Sequence, residues 1–534
     1  MLSIFLNNYI AHQYSHLTTL LLKAFSQTFS FKTKGALPLT CVILRCVSQL
    51  SRNLAHYRYL TMKKTTSRFA MACCALLCAP YSAFATNGMN LEGYGAISHA
   101  LGGTGSAYNT GNSGVSNNPA TLALRKSKST QLGFGLRGLH PDVSLQANGI
   151  SQSSAGDAYY MPSLSWMHKG SAVTWGVAML AQGGMGTEYG KGSPLFSMGK
   201  PLSGVGMVPM SGEEIRTEVG VGRVMFPIAW NVSENTTIGA SFDVVWAGMD
   251  LMMDMDGAHF ASMMGSGNVN GTMATTLGTM MAPGGGVTDV NYVRYNFSNN
   301  NAFWGEASGY GTGFKLGITH RLSKVVTVGG SFQSKTAMSD LKATKAELSF
   351  AGVDGTGSTF TQKVNGTIKV RNFEWPTTIA AGVALYPSDR WMVAADVKHL
   401  GWASVMRSFS TSFEADNTAA NGGFAGQELE VAMKQDWDDQ TVFGFGVQYR
   451  ASDRLVLRSG ASFSSNPVPN AYLNPMFPAT TENHYTAGFG YRLSDAATIA
   501  LAGAWVPKVS ARNGDGVEVH HSQTNWSLNY TQAL

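Results

Sequence analysis

Long stretches of this chain alternate one apolar residue with one small or polar residue. A repeat of two fits extended strands with one greasy face and one wet face, and it fits little else. At 443–450 the apolar set Phe443, Phe445, Val447 and Tyr449 alternates with Gly444, Gly446, Gln448 and Arg450. At 485–492 Tyr485, Ala487, Phe489 and Tyr491 alternate with Thr486, Gly488, Gly490 and Arg492. A soluble sandwich alternates as well. Here, however, the polar set is Gly, Thr, Ser, Arg and Asp, and aromatics gather towards the strand ends. That pattern suits a barrel with lipid outside and a polar lumen inside. Beyond residue 85 no apolar run reaches the roughly 18 residues that a transmembrane helix needs. The expected compartment is therefore the outer membrane of a Gram-negative bacterium.

The start of the chain supports that compartment. A basic patch from Met62-Lys63-Lys64 to Arg68, an apolar stretch from Phe69 to Leu77 and a small-residue site at Ala83-Phe84-Ala85 read as a signal peptide over 62–85. Residues 1–61 then read as an extension from an upstream start site. All five cysteines (Cys41, Cys46, Cys73, Cys74 and Cys78) lie before residue 86, so no disulfide or thiolate site is expected in the mature chain. The same segment holds nine of the 38 Lys/Arg and none of the 32 Asp/Glu. The remaining 29 bases against 32 acids give a balance of −3, which offers no basis for nucleic-acid binding.

Turns set the strand count. Ser233-Glu234, Ser323-Lys324, Ser388-Asp389, Ser452-Asp453 and Ser494-Asp495 each sit between alternating runs, and Ser and Asp favour such turns by bonding nearby backbone. His168-Lys169-Gly170-Ser171 makes a sixth short turn. Longer connections are expected at about 139–157, 183–213, 251–309, 339–366, 404–436, 465–481 and 508–517. Six short turns and seven long loops predict a 14-stranded antiparallel transmembrane β-barrel over 129–534. The stretch 367–387 is ambiguous, because Trp375-Pro376 interrupts it and Pro cannot donate to a sheet ladder. The last strand ends Trp526, Leu528, Tyr530 and Leu534, an aromatic-rich ending that resembles the signal read by the barrel-insertion machinery.

Residues 86–128 do not alternate and are rich in Gly, Asn, Ser and Ala. Their backbone polar groups would go unsatisfied in lipid, so they belong either in the periplasm or in the lumen. The order of signal peptide, glycine-rich segment with Gly93-Tyr94-Gly95 and Gly102-Gly103, then Asn118-Pro119-Ala120, then strands, with Gly183-Gly184-Met185-Gly186-Thr187-Glu188-Tyr189 after the third, resembles the FadL/TodX family. That family comprises outer-membrane channels for long-chain fatty acids and hydrophobic hydrocarbons, and the resemblance covers 86–534. It implies that 86–128 is a hatch plugging the lumen, with Asn118, Pro119 and Ala120 in its gating. It also implies a lateral opening at a kink in the third strand, for which Gly183, Gly184 and Gly186 are candidates. The same glycines also fit the plain start of a loop. By analogy, Met89 and Leu91 are candidates for contacting ligand.

Residues 249–281 hold nine methionines. Methionine makes adaptable apolar surfaces, so Leu251, Met252, Met253, Met255 and Phe260 are candidates for a surface groove that captures ligand. The same residues also suit a loop folded around its own small core. His520-His521-Ser522 and the acidic Asp436, Asp438 and Asp439 suit a solvated rim. Lys315, Arg371, Lys398, Arg450, Arg458 and Arg492 fall at or near the lumen face by alternation. No catalytic constellation, cofactor motif or metal site stands out. The expectation is a monomeric, passive channel for hydrophobic molecules, in contact with outer-membrane lipid and lipopolysaccharide. Long-chain fatty acids are the default cargo, aromatic or aliphatic hydrocarbons the alternative, and a general or structural porin the competing reading.

Overall fold

A computed structural model describes residues 87–125, 129–197, 200–202, 206–208, 210–301 and 305–534. The expected signal peptide, the segment 1–61 and residues 126–128 lie outside the described residues.

The alternating stretches form a closed antiparallel barrel. Its strands are β1 (Thr130–Ala147), β2 (Tyr159–Lys169), β3 (Val173–Tyr189), β4 (Ile215–Asn231), β5 (Thr236–Asp256), β6 (Val287–Phe297), β7 (Ala307–Arg321) and β8 (Val326–Gln333). They continue as β9 (Leu341–Asp354), β10 (Thr378–Ser388), β11 (Trp391–Leu400), β12 (Gln440–Arg450), β13 (Leu455–Ser464), β14 (His484–Arg492), β15 (Ala497–Arg512) and β16 (Glu518–Ala533). Pairing of β1 with β16, from Gln131↔Ala533 to Gln146↔Glu518, closes the ring.

The ring has 16 strands, which corrects the expected 14. The two additional strands are β6 and β9, inside stretches assigned from sequence to long loops. The lower parts of β5 and β7 pair directly, from His320↔Thr236 to Ala307↔Met249. Above that level β5 pairs with β6, β6 with β9, and β9 with β7 at Ser308↔Lys342. Alternation hid both strands for physical reasons. The register of β6 against β9 shifts at Val287/Asp289 and again at Val290/Tyr292, and each bulge moves later side chains to the other face. In β9 the run from Leu348 to Val353 is buried throughout, so no wet face marks it.

The five serine turns form as expected. Ser233, Ser452 and Ser494 each accept bonds through Oγ from two backbone N–H groups ahead of them, as at Arg454 (3.2 Å) and Leu455 (3.0 Å). The ambiguous stretch at Trp375-Pro376 resolves into two elements, the strand Thr359–Arg371 and β10. The outer wall presents Phe134, Phe226, Ile228, Phe314, Leu316, Phe443 and Phe445 to lipid.

Residues 87–125 contact the inner face of the wall. They include the short helix α1 (Gly95–Ala100) and a 3-10 turn at Pro119–Leu124. Inward-facing glycines make room for their backbone: a Cβ at Gly329 would overlap the Ser106 carbonyl, and one at Gly317 would overlap the Asn118 amide. On the loop side, Thr359–Arg371, Ser408–Ala415 and Glu428–Lys434 pair in turn, starting from β9, and extend the sheet beyond the ring. Helices α2 (Gly257–Gly265) and α3 (Thr272–Met281) lie against this region, with Phe260 6.4 Å from Phe350 between ring centroids.

Candidate functional site

The wall is incomplete between β2 and β3. Their pairing runs from Lys169↔Thr174 to Leu164↔Met179 and stops. Beyond it, Tyr159–Ser163 pair with β1 only, and Leu180–Tyr189 with β4 only. The seam is crossed again higher up, where Ala155 N–H donates to the Glu188 carbonyl at 2.7 Å. Outward neighbours Leu164 and Tyr160 are exposed, which places the seam at the level of lipid.

A bulge in β3 accompanies the seam, with a register shift against β4 between Ala181 and Gly183. The N-terminal segment holds this bulge in place. Leu91 N–H donates to the Gln182 carbonyl (3.3 Å), and Gly184 N–H donates to the Met89 carbonyl (3.1 Å). Asn90 Oδ1 accepts from Tyr94 Oη (2.8 Å), Gln182 Nε2 (2.7 Å) and Trp375 Nε1 (3.1 Å). Gly183 has to be glycine, because a Cβ there would overlap the Met89 carbonyl and press on the Trp375 ring.

Behind the seam lies a cavity of about 150 Å³. Met89, Leu91, Leu139, Val143, Met161, Val219, Val221 and Trp246 supply most of its apolar lining, and Tyr159 stands beside the seam. Gly183, Gly184 and Gly186 line it as well. Its charged lining residues are Glu92 and Glu218; neither Lys nor Arg is among the residues lining it. The connection 465–483 dips in to roof the cavity. Thr187 Oγ1 donates to the Met476 carbonyl at 3.0 Å, and His521 Nδ1 lies 2.8 Å from the Pro478 carbonyl.

Asn118, Pro119 and Ala120 lie elsewhere, against β5 and β7. Asn118 is fully buried; its Nδ2 donates to the carbonyls of Ser106 (2.7 Å) and Ile318 (3.1 Å), and its Oδ1 caps the following turn at Ala120 N–H (3.0 Å). Thr237 Oγ1 donates to the Ala120 carbonyl at 3.0 Å. Three inward charges assigned from sequence to the lumen lining act on the N-terminal segment or the wall. Lys315 Nζ donates to the Ser116 carbonyl, Lys398 Nζ to the carbonyls of Glu92 and Gly103, and Arg458 Nε to Gln448. Arg371, Arg450 and Arg492 are exposed. Arg450 and Arg492 share the inward parity of Gly446 and Gly488, which pack on Leu101 and Ala100, whereas Arg371 ends the strand Thr359–Arg371 outside the ring. Asp396, unmarked in the sequence reading, accepts three bonds from Gly105 and Ser106.

Most methionines of the methionine-rich stretch are buried, while Met264, Met280 and Met281 are partly exposed. Leu251, Met252, Met253 and Met255 are buried on the upper part of β5 and line neither cavity. Phe260 lines a second, much smaller apolar cleft with Leu277, Met280, Met281, Phe350 and Phe424. Asp436 pairs with Lys434 (3.3 Å) and Asp439 with His399 (3.5 Å) at the rim. Sequence reasoning missed Gln182, Trp375, Glu218 and Asn525 as site residues, and it placed His521 with His520 and Ser522 on a solvated rim, whereas His521 is buried and lines the cavity. Only their inward parity on a strand, or for Trp375 the break at Pro376, marked any of them.

A closed β-wall with lipid outside, a filled interior and an apolar cavity at a lateral seam defines an outer-membrane channel for hydrophobic compounds. The chain belongs to the outer membrane protein transport protein family (OMPP1/FadL/TodX), whose model matches residues 72–528. The toluene transporter TodX of Pseudomonas putida is 27% identical, with a TM-score of 0.69, over 84% of this chain and 100% of its own. The toluene transporter TbuX of Ralstonia pickettii is 25% identical, with a TM-score of 0.67, over 83% of this chain and 99% of its own. An uncharacterized protein encoded 5′ of a phosphoenolpyruvate carboxykinase gene in Chlorobium limicola is 54% identical over 123 residues; the match spans 59% of that protein and 23% of this chain.

Proposed function

We propose that this protein is a passive channel for small, uncharged aromatic molecules, which enter from the loop side and leave sideways into the outer membrane at the β2–β3 seam. The cavity carries this reading. Its volume of about 150 Å³ is the size at which a dry apolar cavity in another protein holds a single benzene ring. A long-chain fatty acid, the default expected from sequence, is several times larger. Its carboxylate would also face Glu92 and Glu218 with no Lys or Arg among the lining residues. TodX and TbuX, to which the chain is similar, are toluene transporters, which favours the same ligand class.

The seam suits an apolar cargo, because crossing a water-filled pore would expose it at about 0.8 kcal/mol per CH₂. In this reading residues 86–128 act as the hatch, with Asn118-Pro119-Ala120 as its fastening to β5 and β7. The cleft at Phe260 and Met280 offers a first apolar contact on the loop side, and the protein works as a monomer so that the seam meets free lipid.

Uptake of labelled toluene and labelled oleate by cells lacking their own hydrophobic channels, and expressing this chain from Met62, tests the proposal. Toluene is expected to enter well above background and oleate to stay at background. Oleate uptake equal to that of toluene would restore the fatty-acid reading. Uptake of neither by correctly inserted protein would end the transport reading.

A further inference from the structure

We infer that the cavity is shaped for an aromatic ring bearing a hydroxyl group, a phenol in preference to a bare hydrocarbon. The inference rests on the transport reading above and narrows its ligand. His521, Gln523 and Asn525 follow one another on the inward face of β16, and all three line the cavity. His521 is 6% exposed and Asn525 1%.

The bonds of His521 fix its chemistry. Nδ1 faces the Pro478 carbonyl at 2.8 Å, and a carbonyl only accepts, so Nδ1 carries the proton. In the neutral imidazole Nε2 is then an acceptor, and it is buried without a partner among the described residues. Asn525 accepts through Oδ1 from Gln523 Nε2 at 2.8 Å, which leaves its buried Nδ2 unpartnered. Reversing both amides would leave Oδ1 free instead, so either orientation keeps one polar atom of Asn525 available. On β4, Glu218 pairs with Arg216 through Oε2, while its Oε1 is a further buried acceptor without a hydrogen-bond partner.

A bare hydrocarbon in this cavity would leave each of these atoms unsatisfied. A phenolic hydroxyl donates one bond, which is what the His521 acceptor lacks; Asn525, about 13 Å further along the strand, is too far to share that hydroxyl. A site that hydrogen-bonds a hydroxyl discriminates strongly against the analogue lacking it. A carboxylate offers no donor and repels Glu218.

Equilibrium binding of labelled 4-methylphenol and of labelled toluene to the purified protein in lipid nanodiscs, corrected for partition into empty nanodiscs, tests this. The wild type is expected to bind 4-methylphenol about tenfold more tightly than toluene. In His521→Phe the ratio of the two affinities is expected to fall about tenfold. Asn525→Leu, which leaves the His521–Pro478 bond in place and lies about 13 Å along the strand, should leave the ratio unchanged. A purely structural role of His521 would move both affinities together and keep the ratio. Equal binding of the two ligands by the wild type, or an unchanged ratio in His521→Phe, overturns the phenol inference while leaving toluene transport standing. Binding of neither ligand overturns both.

Discussion

Replacing Arg137 by methionine is expected to loosen the N-terminal segment and open an ion leak through the barrel. Arg137 projects inward from β1 and is 6% exposed. Its Nη1 donates to the Gly93 carbonyl at 2.8 Å, and its Nη2 contacts Glu92 Oε1. His99 Nε2 lies 2.9 Å from the same Glu92 oxygen, while His99 Nδ1 lies 2.7 Å from Ser527 Oγ on β16. Removing the guanidinium strands Glu92 as a buried charge, and breaking a buried pair in this way costs about 3–5 kcal/mol. At about 1.4 kcal/mol per factor of ten, the unseated population should rise between a hundred- and a few-thousandfold. Single-channel recording in planar bilayers would show it as new open events. The double variant Glu92→Gln with Arg137→Met removes the stranded charge and should recover most of the closed behaviour. If Arg137→Met stays as closed as the wild type, the ion pair does not fasten the segment.

Deleting Gln182 should abolish toluene uptake while leaving insertion intact. Residue 182 is the extra residue of the β3 bulge, since Ala181 pairs with Gly222 and Gly183 with Val221. Without it β3 runs as a regular strand in unchanged register from Gly183 to Tyr189, and its free edge can join the ladder of β2. The deletion also removes the Gln182 bonds to Asn90 and Tyr94 that tie the bulge to the N-terminal segment. Uptake should fall to the level of cells without the channel, with heat-modifiable migration confirming a folded barrel. Uptake close to that of wild type would show that ligand leaves by another route.

The period-two signal carried most of this architecture because most of the wall is lipid on one side and small polar residues on the other. It failed at β6 and β9, where bulges and burial on both faces erase alternation. The serine turns were legible because each depends on one local hydrogen bond. The cavity was only half legible. Met89, Leu91 and Gly183 followed from family resemblance, whereas His521 and Asn525 line it only because the ring brings β16 close to the segment near Met89. The methionines were ambiguous in sequence, because the same flexible, apolar side chains that make a capture surface also make good filler for an irregular core; most of them are buried, while Met280 and Met281 line the small cleft with Phe260. Lys315 and Lys398 read as polar lining, since nothing in the sequence tells a lysine facing water from one facing a carbonyl.

On the proposed lateral route, the seam at the level of Leu164 and Tyr160 would make the acyl-chain region of the membrane the receiving compartment. A solute that fits the cavity but dissolves poorly in lipid would find no sink there and would return the way it came. Partition coefficient thus becomes a second criterion of entry, imposed by the bilayer and adjustable by the cell through its lipids. On the same reading, with 87–125 as the hatch, water-soluble antibiotics and bile-type detergents would meet no passage of their own, and a cell could make many copies of such a channel without thinning its outer barrier.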